Sequence, residues 1–344
     1  MAGRRGKSRK RNGLAATVTL LLLLLAALCA AGAWLALTPF GPATETFVEI
    51  APGTSTVRIG QQLEQSGVVH SQFAFDLVHW LKRGRLKAGE YRFDHPATVI
   101  EVYSRIARGD VYTRTITVPE GASIFEIAAR LEQAGFGARQ DFLVEQARQT
   151  KLVADLDPGA KSLEGYLFPD TYRFARKATT AQICATMVRR FRQEAAQLGL
   201  KENVHDVVTM ASLVETETAV DGERPLVASV FANRLAHHMP LMTDPSVIYG
   251  LELDGQWRGA IYASDLKRDT PYNTYLHAGL PPGPIANPGL RSLRAAMDPA
   301  HTDYLYFVAA GDDPQGHSMF SSTLEQHARD VAGYRHALKK AGER

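Results

Sequence analysis

Ile59-Gly60-Gln61-Gln62-Leu63-Glu64-Gln65-Ser66-Gly67 returns, altered but recognisable, as Ile127-Ala128-Ala129-Arg130-Leu131-Glu132-Gln133-Ala134-Gly135. The offset from position 59 to position 127 is 68, and it also superposes Gly53 on Gly121 and Ile50 on Val118. Each copy reads as a short strand, a glycine turn and an amphipathic helix that stops at a glycine. Behind the first copy, residues 86–93 read as a strand, and a helix runs through Val99, Val102, Tyr103 and Ile106 to a stop near Gly109. These pieces make one small α+β module over 45–112. The second copy opens a larger α+β domain over 113–344.

Upstream the chain changes character. Residues 1–12 carry Arg4, Arg5, Lys7, Arg9, Lys10 and Arg11 and no acid, and an uncharged run extends from Asn12 to Thr44. Its most apolar part, Leu14 to Leu37, would span roughly 36 Å as a helix, enough to cross a bilayer with some tilt. The expectation is a cytoplasmic basic tail over 1–12, a transmembrane signal anchor over 13–37 with Trp34 near its far end, and a breaker-rich linker over 38–44. The remainder is then exported. Ala31-Gly32-Ala33 offers the pattern of a cleavage site, but the apolar stretch exceeds the roughly 7–15 residues of a signal-peptide core. Leu28 before Cys29 argues against a lipidated cysteine.

Charge divides the chain the same way. There are 39 Lys and Arg against 36 Asp and Glu; without the six basic residues of the tail, 33 face 36, leaving −3. The basic balance therefore belongs to the topology signal, and nucleic-acid binding is disfavoured. Cys29 and Cys184 are the two cysteines, and one lies in the membrane segment. No disulfide or cysteine metal site is expected in the exported part. His237-His238 lack a third ligand at metal spacing and read as surface residues near a helix end. No cofactor or metal is expected.

Downstream of the second copy, residues 163–172 suggest strand-loop-strand, and a helix follows through Ile183, Met187 and Phe191. Val204-His205-Asp206-Val207-Val208-Thr209-Met210-Ala211-Ser212-Leu213-Val214-Glu215 then reads as a helix. Val204, Val207, Val208, Ala211 and Glu215 share one otherwise apolar face. Burial there raises the pKa of a carboxylic acid, so Glu215 is expected to hold a proton near neutral pH, as a general acid must. The competing reading is that Glu215 pairs with an Arg or caps a neighbouring element. Glu217 points roughly 200° away and is expected to be solvated. Another helix covers 225–237, residues 241–289 read as loops rich in Tyr, Asn and Pro, 304–308 as a buried strand, and a last helix passes through Leu324, His327, Val331 and Tyr334.

Aromatic, amide-rich loops held open by prolines around a buried acid suit a carbohydrate polymer. Glycoside hydrolysis normally takes two carboxylates. Glu223, Asp244, Glu164 and Glu325 are candidates for the second, and nothing in the sequence chooses among them. One acid suffices if a hydroxyl of the sugar itself attacks the anomeric carbon, as the C6 hydroxyl of muramic acid can. A non-catalytic peptidoglycan-binding scaffold is the rival reading; a serine peptidase is disfavoured because no G-x-S-x-G occurs.

Ala211-Ser212-Leu213-Val214-Glu215-Thr216-Glu217-Thr218, Asn233-Arg234-Leu235, residues 243–250, Tyr272-Asn273-Thr274-Tyr275 and Gly279-Leu280-Pro281-Pro282-Gly283, taken in this order, resemble the endolytic murein transglycosylases of the YceG-like family. Residues 163–172 and 304–308 match as well. The resemblance implies a single N-terminal membrane anchor, a LysM-like module and a catalytic domain. It implies a periplasmic lyase, anchored in the bacterial inner membrane, that cuts nascent glycan strands internally and leaves 1,6-anhydro-N-acetylmuramyl ends beside peptidoglycan synthases. It makes Glu215 the acid/base, and Asn233, Asp244, Tyr272, Asn273 and Tyr275 candidates for shaping or binding in the cleft. Asn233 and Asp244 read equally as hydrogen-bonding residues of loops and helix ends. Thr216 replaces a Lys common in the family, and Met242 a Gln.

Overall fold

The computed structural model describes residues 6–311 and 316–342. Part of the basic tail, residues 1–5, lies outside them. Helix α1, Gly6–Leu37, contains an apolar stretch, Ala16–Leu37, of 22 residues with mean hydropathy 2.6 and none of it buried. It is long and apolar enough to cross a bilayer.

Contacts divide the chain into two units, Met1–Thr113 and Arg114–Arg344. After α1, the first unit runs β1 (Thr46–Ile50), α2 (Thr56–Gln65), α3 (Gln72–Lys82), β2 (Gly89–Phe93) and α4 (Val99–Arg108). Strands β1 and β2 pair antiparallel, from Thr46 opposite Phe93 to Ile50 opposite Gly89. Their inward residues Val48, Ile50, Tyr91 and Phe93 pack on Leu63, Phe75, Val102 and Ile106. A Thr98–Glu101 capping box starts α4, and left-handed Gly109 (φ 78°) ends it. Within residues 38–44 the chain is tied to the first unit. Phe40 exchanges backbone hydrogen bonds with Ala97 in both directions, at 3.0 and 2.9 Å.

The repeat is larger than its sequence signature. After β3 (Thr113–Thr117), the second unit repeats the order with α5 (Ile124–Gln133), α6 (Arg139–Arg148), β4 (Thr171–Ala175) and α7 (Thr180–Leu198), with β3 beside β4. Ser55 and Ser123 are the matching helix N-caps, their hydroxyls accepting from Arg58 and Glu126 amides. Gly53 and Gly121 both turn with left-handed φ, 81° and 78°. The copies differ between their second helix and second strand, where the later copy inserts 149–170. That insertion is not the expected strand-loop-strand. Gly165 adopts φ 86° among buried turns of Leu163, Tyr166 and Leu167, so only Thr171–Ala175 is extended.

Beyond it come α8 (Val204–Glu217), α9 (Arg224–Ala236), α10 (Asp244–Leu253), α11 (Leu290–Met297), the antiparallel pair β5 (Tyr306–Ala309) and β6 (Ser318–Ser321), and α12 (Leu324–Gly342). Helix α10 falls where a loop is expected: Pro245 occupies its first turn, and Val247 and Leu251 anchor it inward. Strand β5 is half-buried rather than buried.

Candidate active site

Glu215 and Glu217 leave the last turn of α8 in different directions and meet opposite fates. The Glu215 side chain is 4 % exposed and its Oε1 accepts from Arg224 Nη2 at 2.9 Å. Its Oε2 accepts the Gly289 amide at 2.8 Å, the residue that caps α11. Arg224 is itself buried, donates to Ser292 Oγ at 3.0 Å, and pairs with Asp221. Both parts of the competing reading of Glu215 are therefore realised: it pairs with an arginine and it binds the start of a neighbouring helix.

Glu217 is not solvated as expected. It is half-buried at the C-terminal end of α8, and its carboxyl makes no hydrogen bond to any described residue. Loss of water, then the negative charge of Asp244, push its pKa up to about 7, against a smaller opposite pull from Arg234. The negative end of the helix dipole acts in the same direction. What the helical wheel misses is tertiary: α9 and the start of α10 close over the face that looks free.

Arg234 is fixed by donating to the carbonyls of Leu305 at 2.7 Å and Leu241 at 2.8 Å. Asp244, in the first turn of α10, accepts from Tyr275 Oη at 2.7 Å. The 274 loop is pinned to that turn by Thr274 Oγ1, which lies 2.9 Å from the Thr243 amide and 2.8 Å from Ser246 Oγ. Exposed Met242 carries a left-handed φ of 54°, a conformation that a side chain adopts under strain, and donates its amide to Thr274 O. Thus Asp244 and Tyr275 gather with Glu217 and Arg234.

The other cleft candidates hold backbone or line a cavity. Asn273 is fully buried, donating to the Leu266 and Arg268 carbonyls and accepting from the Tyr275 amide, so it shapes the loop. Asn233 donates to the carbonyls of Thr302 and Tyr304, both at 2.9 Å. Tyr272 packs edge-on against Tyr249 at 5.0 Å and lines a cavity of about 190 Å³ with Asp157, Glu164 and His205. In that cavity Asp157 accepts from Tyr166 Oη at 2.7 Å and contacts His205 Nδ1 at 2.8 Å.

Of the alternative second carboxylates, Glu223 is buried and accepts the Ser318 amide, and Glu325 lies in the first turn of α12. Glu164 is 1 % exposed and is pushed up to about 8 by burial. It accepts from the Ile124 amide and from Asn287 Nδ2. Asn287, which sequence reasoning did not single out, also exchanges backbone bonds with Gly121 and Ala122 and accepts from the Leu167 amide. Among the described residues no three His, Cys, Asp or Glu side chains are gathered for a metal ion.

Glu164, Glu217 and Glu252 (the last also raised to about 7 by burial) hold protons in the fold that they release when unfolded, where 4.5 is the ordinary value. Below pH 4.5 the three groups do not distinguish the states. As pH rises toward 8 the folded state loses its advantage. The melting temperature is expected to fall between pH 5 and pH 8, which a fluorimetric melt across buffers checks.

The model of the YceG-like family matches residues 48–333. The chain belongs to the YceG-like family. A Bacillus subtilis protein named endolytic murein transglycosylase is 34% identical over 312 residues, 85% of each chain. A Streptococcus pneumoniae protein of the same name is 30% identical over 318 residues, 83% of this chain and 57% of the relative. A crystal structure of a yceG-like protein from Listeria monocytogenes matches with TM-score 0.54 and 32% identity, covering 84% of this chain and 99% of that one. YceG-like membership accounts for the order of motifs along α8, α9, α10 and the 272–289 loops.

Proposed function

We propose that this YceG-like protein is a membrane-anchored lytic transglycosylase that cuts peptidoglycan glycan strands internally, with Glu217 rather than Glu215 as its acid and base. The observation that carries the reading is a carboxyl group with a pKa of about 7, free of hydrogen-bond partners among the described residues and beside Asp244. Glu215 accepts from Arg224 at one oxygen and from the Gly289 amide at the other, so its carboxyl group is engaged in an ion pair and a helix start.

In the proposed reaction, protonated Glu217 gives its proton to the oxygen linking MurNAc to GlcNAc as that bond breaks. The MurNAc C6 hydroxyl closes on C1, and the Glu217 carboxylate takes its proton, leaving a 1,6-anhydro end and a protonated enzyme. No water is consumed. Asp244 stabilises positive charge developing on the sugar ring, with Tyr275 holding its carboxylate in place. The names of the relatives support the substrate class. Helix α1 anchors the chain with its N-terminus in the cytoplasm, and the first unit serves as a LysM-like glycan-binding module. Peptidoglycan synthases are the proposed partners.

Mass spectrometry of products from purified sacculi tests the reaction. Anhydro ends on fragments of mixed length support it. Reducing ends would mean that Asp244 activates water, making the enzyme a hydrolase. Absence of any product would leave the binding scaffold. The rate is expected to fall above about pH 7, where Glu217 loses its proton. Asp244→Asn removes the charge that keeps the proton on, so the alkaline limb of the pH–rate profile should move to lower pH. An unmoved limb would separate Asp244 from the acid.

A further inference from the structure

Helix α3 is apolar on two faces. Ala74, Phe75 and Val78 point into the core of the first unit. On the opposite side Phe73 is 76 % exposed, Leu77 47 %, Trp80 63 % and Leu81 65 %. At helical spacing these four fall within roughly a 100° arc. Four large apolar side chains in one exposed stripe require a partner.

We propose that this partner is the lipid bilayer, and that the outward face of α3 lies in the membrane–water interface on the side where α1 emerges. The proposal rests on the reading of α1 as a membrane anchor. Three observations place α3 at that level. Leu35 and Ala36, near the end of α1, pack against the core of the same unit. The Trp34 ring stacks at 5.8 Å on His70, next to Ser71, the N-cap of α3. The chain has no slack to lift the unit away, because α1 ends at Leu37 and Phe40 is already bonded both ways to Ala97, its ring 3.7 Å from that of His70.

The chemistry of the stripe fits the same occupant. Phe, Trp and Leu on one face are the side chains that settle into the headgroup and upper acyl region. The stripe runs into exposed Lys82, Arg83 and Arg85, which suit phosphate headgroups at its rim. The first unit would then rest on the membrane rather than hang from it.

Trp34, Trp80 and Trp257 are the tryptophans of the chain, so two variants of the full chain isolate the signals. Trp34→Phe with Trp257→Phe leaves Trp80, and Trp80→Phe with Trp257→Phe leaves Trp34. Each is reconstituted in vesicles of phosphatidylglycerol and phosphatidylcholine, with and without bromine on the upper acyl chain. Trp80 is expected to lose emission in brominated vesicles by a fraction comparable to Trp34, and to lose less after Phe73→Ser with Leu77→Ser. Quenching of Trp34 alone, with Trp80 open to aqueous iodide, overturns the proposal and leaves the anchor intact. Shielding of Trp80 from iodide without quenching by bromolipid also overturns it, since a second copy or another protein then covers the stripe. If neither tryptophan is quenched, the anchor reading fails and the proposal with it.

Discussion

Glu217→Gln is expected to lower formation of anhydro ends by about 10²–10⁴-fold, the range over which a positioned general acid and base contributes. The substitution is nearly isosteric and removes only the transferable proton. Because the carboxyl bonds to no described residue, the fold loses no hydrogen bond among them. Relieved of a desolvated ionisable group above pH 7, the variant should melt no earlier than the wild type there. Product quantification by mass spectrometry at equal folded protein reads the effect. Glu215→Gln is the decisive comparison, for it should lose far less of the reaction per folded molecule. If Glu215→Gln abolishes the chemistry and Glu217→Gln spares it, the assignment reverts to the first glutamate.

The second large effect is on stability. Arg224→Ala removes the cation between Glu215 and Asp221 and strands a carboxylate that is 4 % exposed. Breaking a buried pair from one side costs about 3–5 kcal/mol. For a cooperative unit of this size each kcal/mol shifts the melting temperature by roughly 2–4 °C, so a fall of roughly 6–20 °C is expected. Gly289 and Ser292 bond to the same pair, so α11 should loosen with it. A melt within a degree or two of the wild type would show that the pair braces nothing. The last turn of α8 also carries Glu217, so the pair braces the turn that bears the proposed acid.

The sequence exposes whatever is local. The 68-residue offset finds two helices whose serine N-caps and left-handed glycines match position by position. The α9 start at Pro225 and the Gly109 stop are equally plain. What stays hidden is decided by distant residues. The helical wheel places Glu215 on the apolar side, correctly, but it does not reveal the arginine nine positions on that pairs with it. Glu217 looks free because Arg234, Asp244 and Tyr275 reach it only through tertiary folding. Helix α10 hides behind Thr243-Asp244-Pro245, which reads as a turn, although proline in a first turn also starts a helix. Asn287 looks like one more polar residue in a proline-rich loop, and its bonds span 120 positions to Leu167 and 165 to Ala122.

Those long bonds bear on how the polypeptide matures. The first βααβα copy has its strand pairing and its apolar core complete once residue 113 has been synthesised. Its later twin does not: the amides of Gly121 and Leu167 await a carbonyl and a side chain that arrive only with Asn287. Domains emerging from the ribosome generally fold in order from the N-terminus, yet here that order is interrupted. A nascent chain paused between 200 and 286 would present one finished copy and one open copy, and the open one is where a chaperone or a protease would find its grip.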